Sequence, residues 1–404
     1  MKITINAIGS RGDVQPYVAL AVGLAEAGHE VLVATHRLFE ELVLKHGLAL
    51  FPIEQDPRDI LISKAVADIG GNPIRINRWI ADNFRPHLRE VFLLTLAAAQ
   101  NADLLVNSAL SIAGYHVAEK LGSRAIGAYL QPVTPTREFA TFSTGPLPRW
   151  LPFNGLYNYY ATKLSNQMFF NMTRKLVNEC RAEILDLPSL GASYYWRVDS
   201  ASWSVPLIYG FSPSVIPRPA DWGVNQKIAG YWFLDGIEAY APPVDLIEFI
   251  DSGPPPVSIG FGSMVDHQRE TLTQLVVEAV EKAGVRAVLL TGWSDLGNYQ
   301  LPDTILPIEF APHEWLFPRM SAVIHHGGAG TTAAGLRAGT PSVVVPFFAD
   351  QPFWGQRIYE LGAGPKPIPR KKLTAEKLAT AIKKAIGDEQ IRRYAGELGV
   401  SIRA

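Results

Sequence analysis

A glycine-rich loop late in the chain carries the residues best suited to bind an anion. It follows a short apolar stretch at 322–324 and leads into a helix that is predicted to begin near Thr331. The first amides of a helix have no internal partners, its dipole favours negative charge, and glycines let the main chain approach a diphosphate closely. The candidate ligands are His326, Gly328, Ala329, Gly330 and Thr331. The pattern predicts a diphosphate site, although glycines before a helix also form tight turns that bind nothing.

An acidic residue and an amide residue follow the next predicted strand. The apolar run at 342–345 ends at Pro346, and Asp350 and Gln351 come shortly after it. In open α/β sheets, ligands bind at the carboxyl ends of the strands. A carboxylate accepts hydrogen bonds and an amide side chain both donates and accepts, so the pair suits the hydroxyl groups of a sugar. This second motif favours the binding interpretation of the first.

A turn near the N-terminus contains Asp13 in the run GSRGDVQP at 9–16. We predict that Asp13 is the N-cap of the following helix and that Pro16 lies in the first turn, where its missing N–H costs nothing. The helix end would hold the carboxylate in place and keep it ionised. Such a carboxylate is a weak base, so a proton would move to it only as a hydroxyl becomes acidic during a reaction.

Alternating strand and helix patterns position these motifs. Strands are predicted at 2–7, 30–35, 49–52, 104–107, 124–129, 205–209, 226–230, 257–261 and 286–291. A helical pattern ending at Gly28 separates the first two strands, which makes a βαβ unit and therefore a parallel sheet. The turn at 9–12 lacks the full G-x-G-x-x-G pattern, and no acidic residue ends the second strand, so an NAD-dependent enzyme is disfavoured.

The runs HHGGAGTT and GTPSVVVPFFADQP resemble the donor-binding motif of the GT-B glycosyltransferases of the UDP-glycosyltransferase superfamily. Together with GSRGDVQP and the segment 230–264, they look most similar to the sterol 3-beta-glucosyltransferases and the bacterial antibiotic-tailoring glycosyltransferases. The resemblance implies an α/β GT-B fold, in which two Rossmann-like doubly wound parallel-sheet domains face each other across a cleft. We place an N-terminal acceptor-binding domain at 1–235 and a C-terminal nucleotide-sugar-binding domain at 236–386. The segment 387–404 is expected to form a helix that crosses back to the N-terminal domain.

The resemblance also implies roles for individual residues. Asp13 would be the catalytic general base, and Asp350 and Gln351 would contact the donor sugar. Phe310 and His313 stand where many members carry the Trp and Gln that contact the nucleotide base, although Phe310 could simply be core. Further donor contacts are implied for Ser10, Gly12, Ser263, His326, Gly328, Ala329, Gly330 and Thr331.

An aromatic stretch at 139–175, interleaved with arginines and lysines, has three interpretations. It could be helical core, an apolar wall for an acceptor, or a surface that lies on a membrane. The resemblance to sterol enzymes favours a flat, lipophilic acceptor. The candidate acceptor-binding residues are Trp79, Gln131, Phe139, Phe142 and Trp150.

The composition is that of a globular protein whose length allows two domains. The 404 residues carry a formal net charge of −1, so neither nucleic acid nor an anionic membrane is implied electrostatically. The single cysteine, Cys180, excludes an internal disulfide, and no apolar run approaches the roughly 18 residues of a membrane span. The chain enters a strand directly after Met1, without a signal peptide pattern. A cytoplasmic enzyme is expected, and peripheral membrane contact stays open.

The residues and the resemblance together predict an inverting hexosyltransferase that moves glucose from UDP-glucose to a hydroxyl of a sterol or another polycyclic or macrocyclic acceptor. The chain contains no Asp-x-Asp pair, so a metal-independent reaction is predicted, and no cofactor is expected beside the co-substrate. A dTDP-sugar-dependent antibiotic glycosyltransferase is the alternative. The aromatic stretch disfavours a sugar-nucleotide 2-epimerase. An inactive GT-B partner protein is disfavoured because Asp13, His326, Asp350 and Gln351 are all present.

Overall fold

The structure, a computed structural model, describes residues 1–54, 85–145, 147, 152–193, 205–234, 240–262, 269–291 and 301–404. The chain divides into two compact units. The first consists of Met1–Phe211 and Arg218–Leu234, and the second of Ser212–Pro217 and Asp235–Ala404. Each unit is built around one parallel sheet with helices packed on it, so the predicted α/β class with two doubly wound domains is confirmed.

The first unit contains a seven-stranded sheet in the order β3-β2-β1-β4-β5-β6-β7. The strands are β1 (Lys2–Asn6), β2 (Glu30–His36), β3 (Ala49–Ile53), β4 (Leu104–Asn107), β5 (Arg124–Tyr129), β6 (Leu207–Tyr209) and β7 (Gln226–Ile228). The helices are α1 (Arg11–Glu26), α2 (Glu40–Leu44), α3 (Arg85–Ala99), α4 (Ala113–Leu121) and α5 (Asn154–Glu183), with a 3₁₀ turn at Arg37–Phe39.

The middle strands of this sheet are buried on both faces. Ile5 of β1 and Leu105 of β4 are fully buried. On one face, Leu105 belongs to a core that Phe92 of α3, Val117 of α4 and Val177 of α5 complete. Near-continuous apolar sequence is typical of parallel strands that have helices on both sides.

The second unit contains a five-stranded sheet in the order β10-β9-β8-β11-β12. The strands are β8 (Val257–Gly260), β9 (Ala287–Leu290), β10 (Ile305–Ile308), β11 (Ala322–His325) and β12 (Ser342–Val344). The helices are α6 (Val244–Asp251), α7 (Arg269–Ala283), α8 (His313–Leu316), α9 (Ala329–Ala338), α10 (Gln351–Glu360), α11 (Ala375–Gly387) and α12 (Glu389–Arg403). Two 3₁₀ turns lie at Phe317–Arg319 and Arg370–Lys372.

Each sheet has a point at which the order of its strands reverses. In the first sheet, β2 and β3 lie on one side of β1 and β4 lies on the other; in the second, β9 and β10 lie on one side of β8 and β11 lies on the other. Ligands of open α/β sheets bind outside the carboxyl ends of the strands at such a point. The turn after β1 leads to Asp13, and the turn after β11 leads to His326, so both candidate residues lie at their sheet's reversal point.

The C-terminal helix α12 packs within the second unit. Its Gly399 lies against Gly339, and a Cβ atom at position 399 would come within 2.7 Å of the Gly339 Cα. The Ser401 hydroxyl lies 2.7 Å from that of Ser214, in the short segment 212–217 that also belongs to the second unit. Arg357 of α10 donates a hydrogen bond to the Val215 carbonyl in the same segment. The predicted crossing of the last helix onto the first domain stays a prediction.

Candidate functional site

The turn after β11 is held by His325, the last residue of that strand. The Gly327 N–H donates to His325 Nδ1 at 3.1 Å, and the His325 side chain is buried. Gly327 has a φ of 91°, and a Cβ atom there would lie 2.7 Å from Val344 Cγ1. Both the left-handed backbone and the lack of space require glycine at this position. These contacts of the protein itself therefore define the shape of the loop.

Helix α9 begins at Ala329, two residues before the position predicted from the sequence, with Gly328 as its N-cap. The first internal hydrogen bond runs from the Thr332 N–H to the Gly328 carbonyl, at 2.9 Å. The amides of residues 328–331 therefore have no carbonyl one turn earlier within the helix to bind. Four predicted donor ligands, Gly328, Ala329, Gly330 and Thr331, thus supply consecutive main-chain donors at a helix N-terminus.

The His326 ring lies beside two glycines and has an unsatisfied polar atom. A Cβ atom at Gly262 would lie 3.1 Å from its Cε1, and one at Gly328 would lie 2.5 Å from its Nε2. Within the described part of the chain, its buried Nδ1 has no hydrogen-bond partner. Burial lowers the pKa of His326 to about 4, so the ring is neutral at pH 7 and carries one N–H. Leaving a buried polar atom unpaired costs about 1–3 kcal/mol, which a ligand or water would offset.

His325 and His313 lie near the same loop. Burial first, and then the neighbouring His326 and His313, lower the pKa of His325 to about 3. His313 begins α8 and stacks on Phe317, with ring centroids 4.4 Å apart, while Phe310 is half exposed. Phe310 is thus not core, and its contact with a nucleotide base stays a prediction, as does that of His313.

Asp350 and Gln351 begin α10, and their side chains are held by the protein. Gln351 is buried, and its Oε1 accepts from the Phe347 and Phe348 amides at 2.8 and 3.2 Å. Asp350 Oδ2 accepts from the Trp354 indole N–H at 2.9 Å. Gln351 therefore orders the loop before α10 and Asp350 is fixed in orientation. Their contacts with a sugar stay predictions.

In the first unit, the Asp13 carboxylate closes the turn after β1. Its Oδ2 accepts from the Ser10 N–H at 2.9 Å and from the Ser10 hydroxyl at 2.8 Å. The prediction that Asp13 is the N-cap is wrong, because Ser10 is the N-cap and α1 begins at Arg11. Asp13 is the third helical residue, and Pro16 lies in the second turn rather than the first. Serine competes well for the N-cap, and Asp13 bonds back to it as in a capping box.

The electrostatic surroundings of Asp13 also differ from the expectation. Burial raises the pKa of the Asp13 carboxyl above its ordinary value, and the two hydrogen bonds from Ser10 only partly oppose this. The helix end thus does not keep Asp13 as readily ionised as predicted. The consequence is a stronger base than an exposed aspartate, since a raised pKa increases proton affinity.

Sequence reasoning missed His36, whose ring binds Gly9, the first residue of this turn. The Gly9 N–H donates to His36 Nε2 at 3.2 Å, and the histidine is buried at the end of β2. A Cβ atom at Gly9 would lie 2.6 Å from Asp13 Oδ2, and its φ of 133° favours glycine. The position of His36 at the carboxyl end of a strand was the available signal. Of the predicted donor contacts here, Ser10 bonds Asp13 and Gly12 is exposed.

Three of the predicted acceptor residues lie in the segment that follows β5. Gln131, Phe139 and Phe142 are each partly buried, and Phe139 meets Trp222 edge to face, with centroids 6.5 Å apart. The role of these residues in binding an acceptor stays a prediction. The other predicted site residues, Trp79, Trp150 and Ser263, lie outside the described residues.

Comparison with known proteins identifies relatives for both halves of the chain. Residues 3–140 match the Glycosyltransferase family 28 N-terminal domain, and residues 285–402 match the Erythromycin biosynthesis protein CIII-like, C-terminal domain. The sterol 3-beta-glucosyltransferase of Neosartorya fischeri is 38% identical over 100% of this chain and 28% of its own length. The sterol 3-beta-glucosyltransferase of Arabidopsis thaliana is 35% identical over 96% of this chain and 61% of its own length. The chain thus spans less than two thirds of the length of each of these curated relatives.

A solved glycosyltransferase structure has the same fold as this chain. The glycosyltransferase VinC in complex with dTDP superposes with a TM-score of 0.66 and 19% identity, covering 100% of this chain and 96% of VinC. The resemblance inferred from the motifs is confirmed. From the two matched family domains, the sterol 3-beta-glucosyltransferase relatives and the shared fold, we conclude that this chain belongs to the GT-B glycosyltransferases.

Proposed function

We propose that this protein transfers a glucosyl group from UDP-glucose to the hydroxyl of a sterol or a similar lipophilic acceptor. The observation that carries the proposal is the turn after β11, where four consecutive amides and the unsatisfied His326 ring lie at the reversal point of the sheet. The sterol class of the acceptor is supported by the relatives from Neosartorya fischeri and Arabidopsis thaliana. A cytoplasmic location is part of the proposal.

In the proposed reaction, the second unit binds the diphosphate of the donor. Negative charge builds on the leaving diphosphate as its bond to the anomeric carbon breaks. The amides of residues 328–331, the neutral His326 N–H and the dipole of α9 stabilise that charge. These donors are already oriented, so little reorganisation is needed. Asp350, oriented by Trp354, is proposed to accept a hydrogen bond from a sugar hydroxyl.

The first unit supplies the base. The acceptor oxygen forms a bond to the anomeric carbon while the bond from that carbon to the diphosphate oxygen breaks. The acceptor proton moves to the Asp13 carboxylate, and UDP leaves. One displacement of this kind inverts the configuration at the anomeric carbon, and the raised pKa of Asp13 helps it to take the proton.

Titration calorimetry with UDP and dTDP tests the donor site. We expect UDP to bind with the same affinity in buffer that contains EDTA as in buffer that contains magnesium, because the proposed ligands of the diphosphate are N–H groups of the chain. We also expect UDP to bind more tightly than dTDP. Tighter binding of dTDP would support the alternative, an antibiotic-tailoring enzyme that uses a dTDP-sugar. We consider this alternative because the similar structure of VinC is a complex with dTDP. A requirement for magnesium would contradict the proposed diphosphate site.

The pH dependence of transfer tests the protonation state of Asp13. Because burial raises its pKa and only the ionised carboxylate can accept a proton, activity should fall as the pH decreases through that raised value. The acidic limb of kcat/KM should therefore lie above the roughly 3.9 of an ordinary aspartate. Thermal unfolding at each pH serves as the control for loss of the fold. A limb at or below the ordinary value would show that Asp13 is not the titrating base.

A further inference from the structure

The first half of helix α5 buries three polar side chains. Asn158, Thr162 and Gln167 are all buried. Asn158 donates to the Arg137 carbonyl at 3.2 Å, Thr162 lies 3.0 Å from the Thr141 hydroxyl, and Gln167 donates to the Ala192 carbonyl at 2.7 Å. These bonds anchor the helix to the polypeptide around it. A surface helix normally buries apolar side chains, so this part of α5 reverses the usual pattern.

The face of these turns that lies opposite Asn158 and Thr162 is apolar and exposed. We call this face the outer stripe, which consists of Phe153, Leu156, Tyr160, Leu164 and Met168. The five side chains are between 44% and 74% exposed. Their spacing of three or four residues places them in one line, about 22 Å long at 1.5 Å per residue. Isolated exposed apolar residues are normal, but a continuous line of them marks a binding surface.

The charged residues of α5 that lie nearest the outer stripe are basic. From Asn154 to Thr173, α5 contains one charged residue, Lys163, and no acidic residue. The line of the outer stripe continues through Asn171 to Lys175, which is exposed, and Arg174 stands next to it. A face with aromatic and aliphatic side chains and basic residues at its end complements the apolar interior and anionic headgroups of a lipid bilayer.

Helix α5, which carries the outer stripe, also packs on the segment for which acceptor contacts are predicted. Asn166 of α5 donates to the Val133 carbonyl at 3.1 Å, and Tyr157 donates to the Thr144 carbonyl at 3.2 Å. Both carbonyls belong to the segment after β5 that contains Gln131, Phe139 and Phe142. A sterol is a component of membranes, so an enzyme that takes it from a bilayer would need this segment close to the lipid.

We propose that the outer stripe of α5 docks on the surface of a lipid bilayer and so brings the segment after β5 to a membrane-dissolved acceptor. The choice of acceptor in this statement rests on the proposed function, whereas the docking itself does not. Helix α5 would lie in the interface, since no helix within the described ranges is both long and apolar enough to cross a membrane.

Flotation with vesicles of phosphatidylcholine and phosphatidylserine tests the docking. The test variant is Leu156→Gln/Leu164→Gln, whose leucines are 44% and 51% exposed. The control is Leu38→Gln/Leu44→Gln, whose leucines are 45% and 51% exposed elsewhere on the first unit. We expect partition onto vesicles to fall about tenfold or more for the test variant, because two apolar side chains leave the interface, and to be unchanged for the control. Lys175→Gln should weaken binding roughly fivefold, and only to vesicles with phosphatidylserine.

Each other outcome has a defined meaning. Failure of the wild-type chain to float, or equal flotation of both leucine variants, would overturn the proposal. A dimer in sedimentation velocity that the test variant alone dissociates, without vesicle binding, would assign the outer stripe to a second copy and also overturn it. Turnover of a sterol delivered by cyclodextrin should be the same for the wild-type chain and the test variant. Vesicle binding by a wild-type chain that glucosylates no sterol would support docking and contradict only the proposed function.

Discussion

Replacement of Asp13 by asparagine should lower the turnover number for glucosyl transfer by about a hundredfold to ten-thousandfold, the usual contribution of a general base. Asparagine has nearly the shape of aspartate, and its Oδ1 can still accept hydrogen bonds from the Ser10 N–H and hydroxyl. The turn after β1 should therefore persist, while the group that takes the proton is lost. The measurement is steady-state release of UDP in the presence of a sterol.

Two further variants separate catalysis from capping at this position. Asp13→Ala removes both the base and the hydrogen bonds from Ser10. It should lose turnover to the same extent and in addition lower the free energy of unfolding by about 1–3 kcal/mol, the cost of removing a hydrogen-bond partner. Glu26→Gln changes an exposed acid to its amide at the other end of α1 and should leave turnover unchanged. If Asp13→Asn had the turnover number of the wild-type chain, the role of Asp13 would be only to stabilise the turn after β1.

Replacement of His326 by alanine should weaken the binding of UDP by about tenfold to a hundredfold. The reason is the loss of a hydrogen bond to a charged group, which contributes about 1.5–3 kcal/mol. The effect should appear in the dissociation constant from calorimetry, because the ring is proposed to hold the diphosphate in the ground state as well as in the transition state. An unchanged dissociation constant would show that His326 does not contact the nucleotide.

A pair of glycine variants tests the position of the His326 ring without removing it. In Gly328→Ala the new Cβ atom would lie 2.5 Å from His326 Nε2, so the ring must move. We expect weaker UDP binding in the same direction as for His326→Ala. Gly396→Ala is the matched control, because nothing lies within 4 Å of a Cβ atom at that helical position. Equal affinities for the two variants would contradict the proposed placement of the ring against the ligand.

The strands were predictable because burial leaves a direct trace in sequence. The bounds 104–107 and 124–129 are those that β4 and β5 have, and both strands lie in the middle of a parallel sheet. The missed strand is β10, whose residues include Pro307. It lies at the edge of its sheet, where a residue without an N–H is tolerated, so the proline hid a strand that the position allows.

Helix ends and side-chain environments were harder to predict. The sequence predicts that α9 begins near Thr331, yet Gly328 is the N-cap and Gly330 lies in the first turn. At α1, the spacing of Ser10 and Asp13 resembles a capping box and could have placed the N-cap correctly. The raised pKa of Asp13 left no trace in sequence, because it depends on burial of the carboxyl in the folded chain.

The long-range hydrogen bonds and the direction of helix faces also needed coordinates. His36 accepts from Gly9 across 27 residues, and no local pattern links them. For α5, the sequence has a helical period but does not state which side meets the protein. The usual assumption, that the apolar side is buried, is wrong for its first half, where Asn158, Thr162 and Gln167 are the buried side chains.

The central claim is that the first unit supplies the base and the second unit binds the diphosphate. The most direct test is to measure both UDP affinity and transfer rate in Asp13→Asn and in His326→Ala. The account predicts that Asp13→Asn binds UDP like the wild-type chain but scarcely transfers sugar, whereas His326→Ala binds UDP more weakly. Normal transfer by Asp13→Asn, or full UDP affinity in His326→Ala, would contradict it.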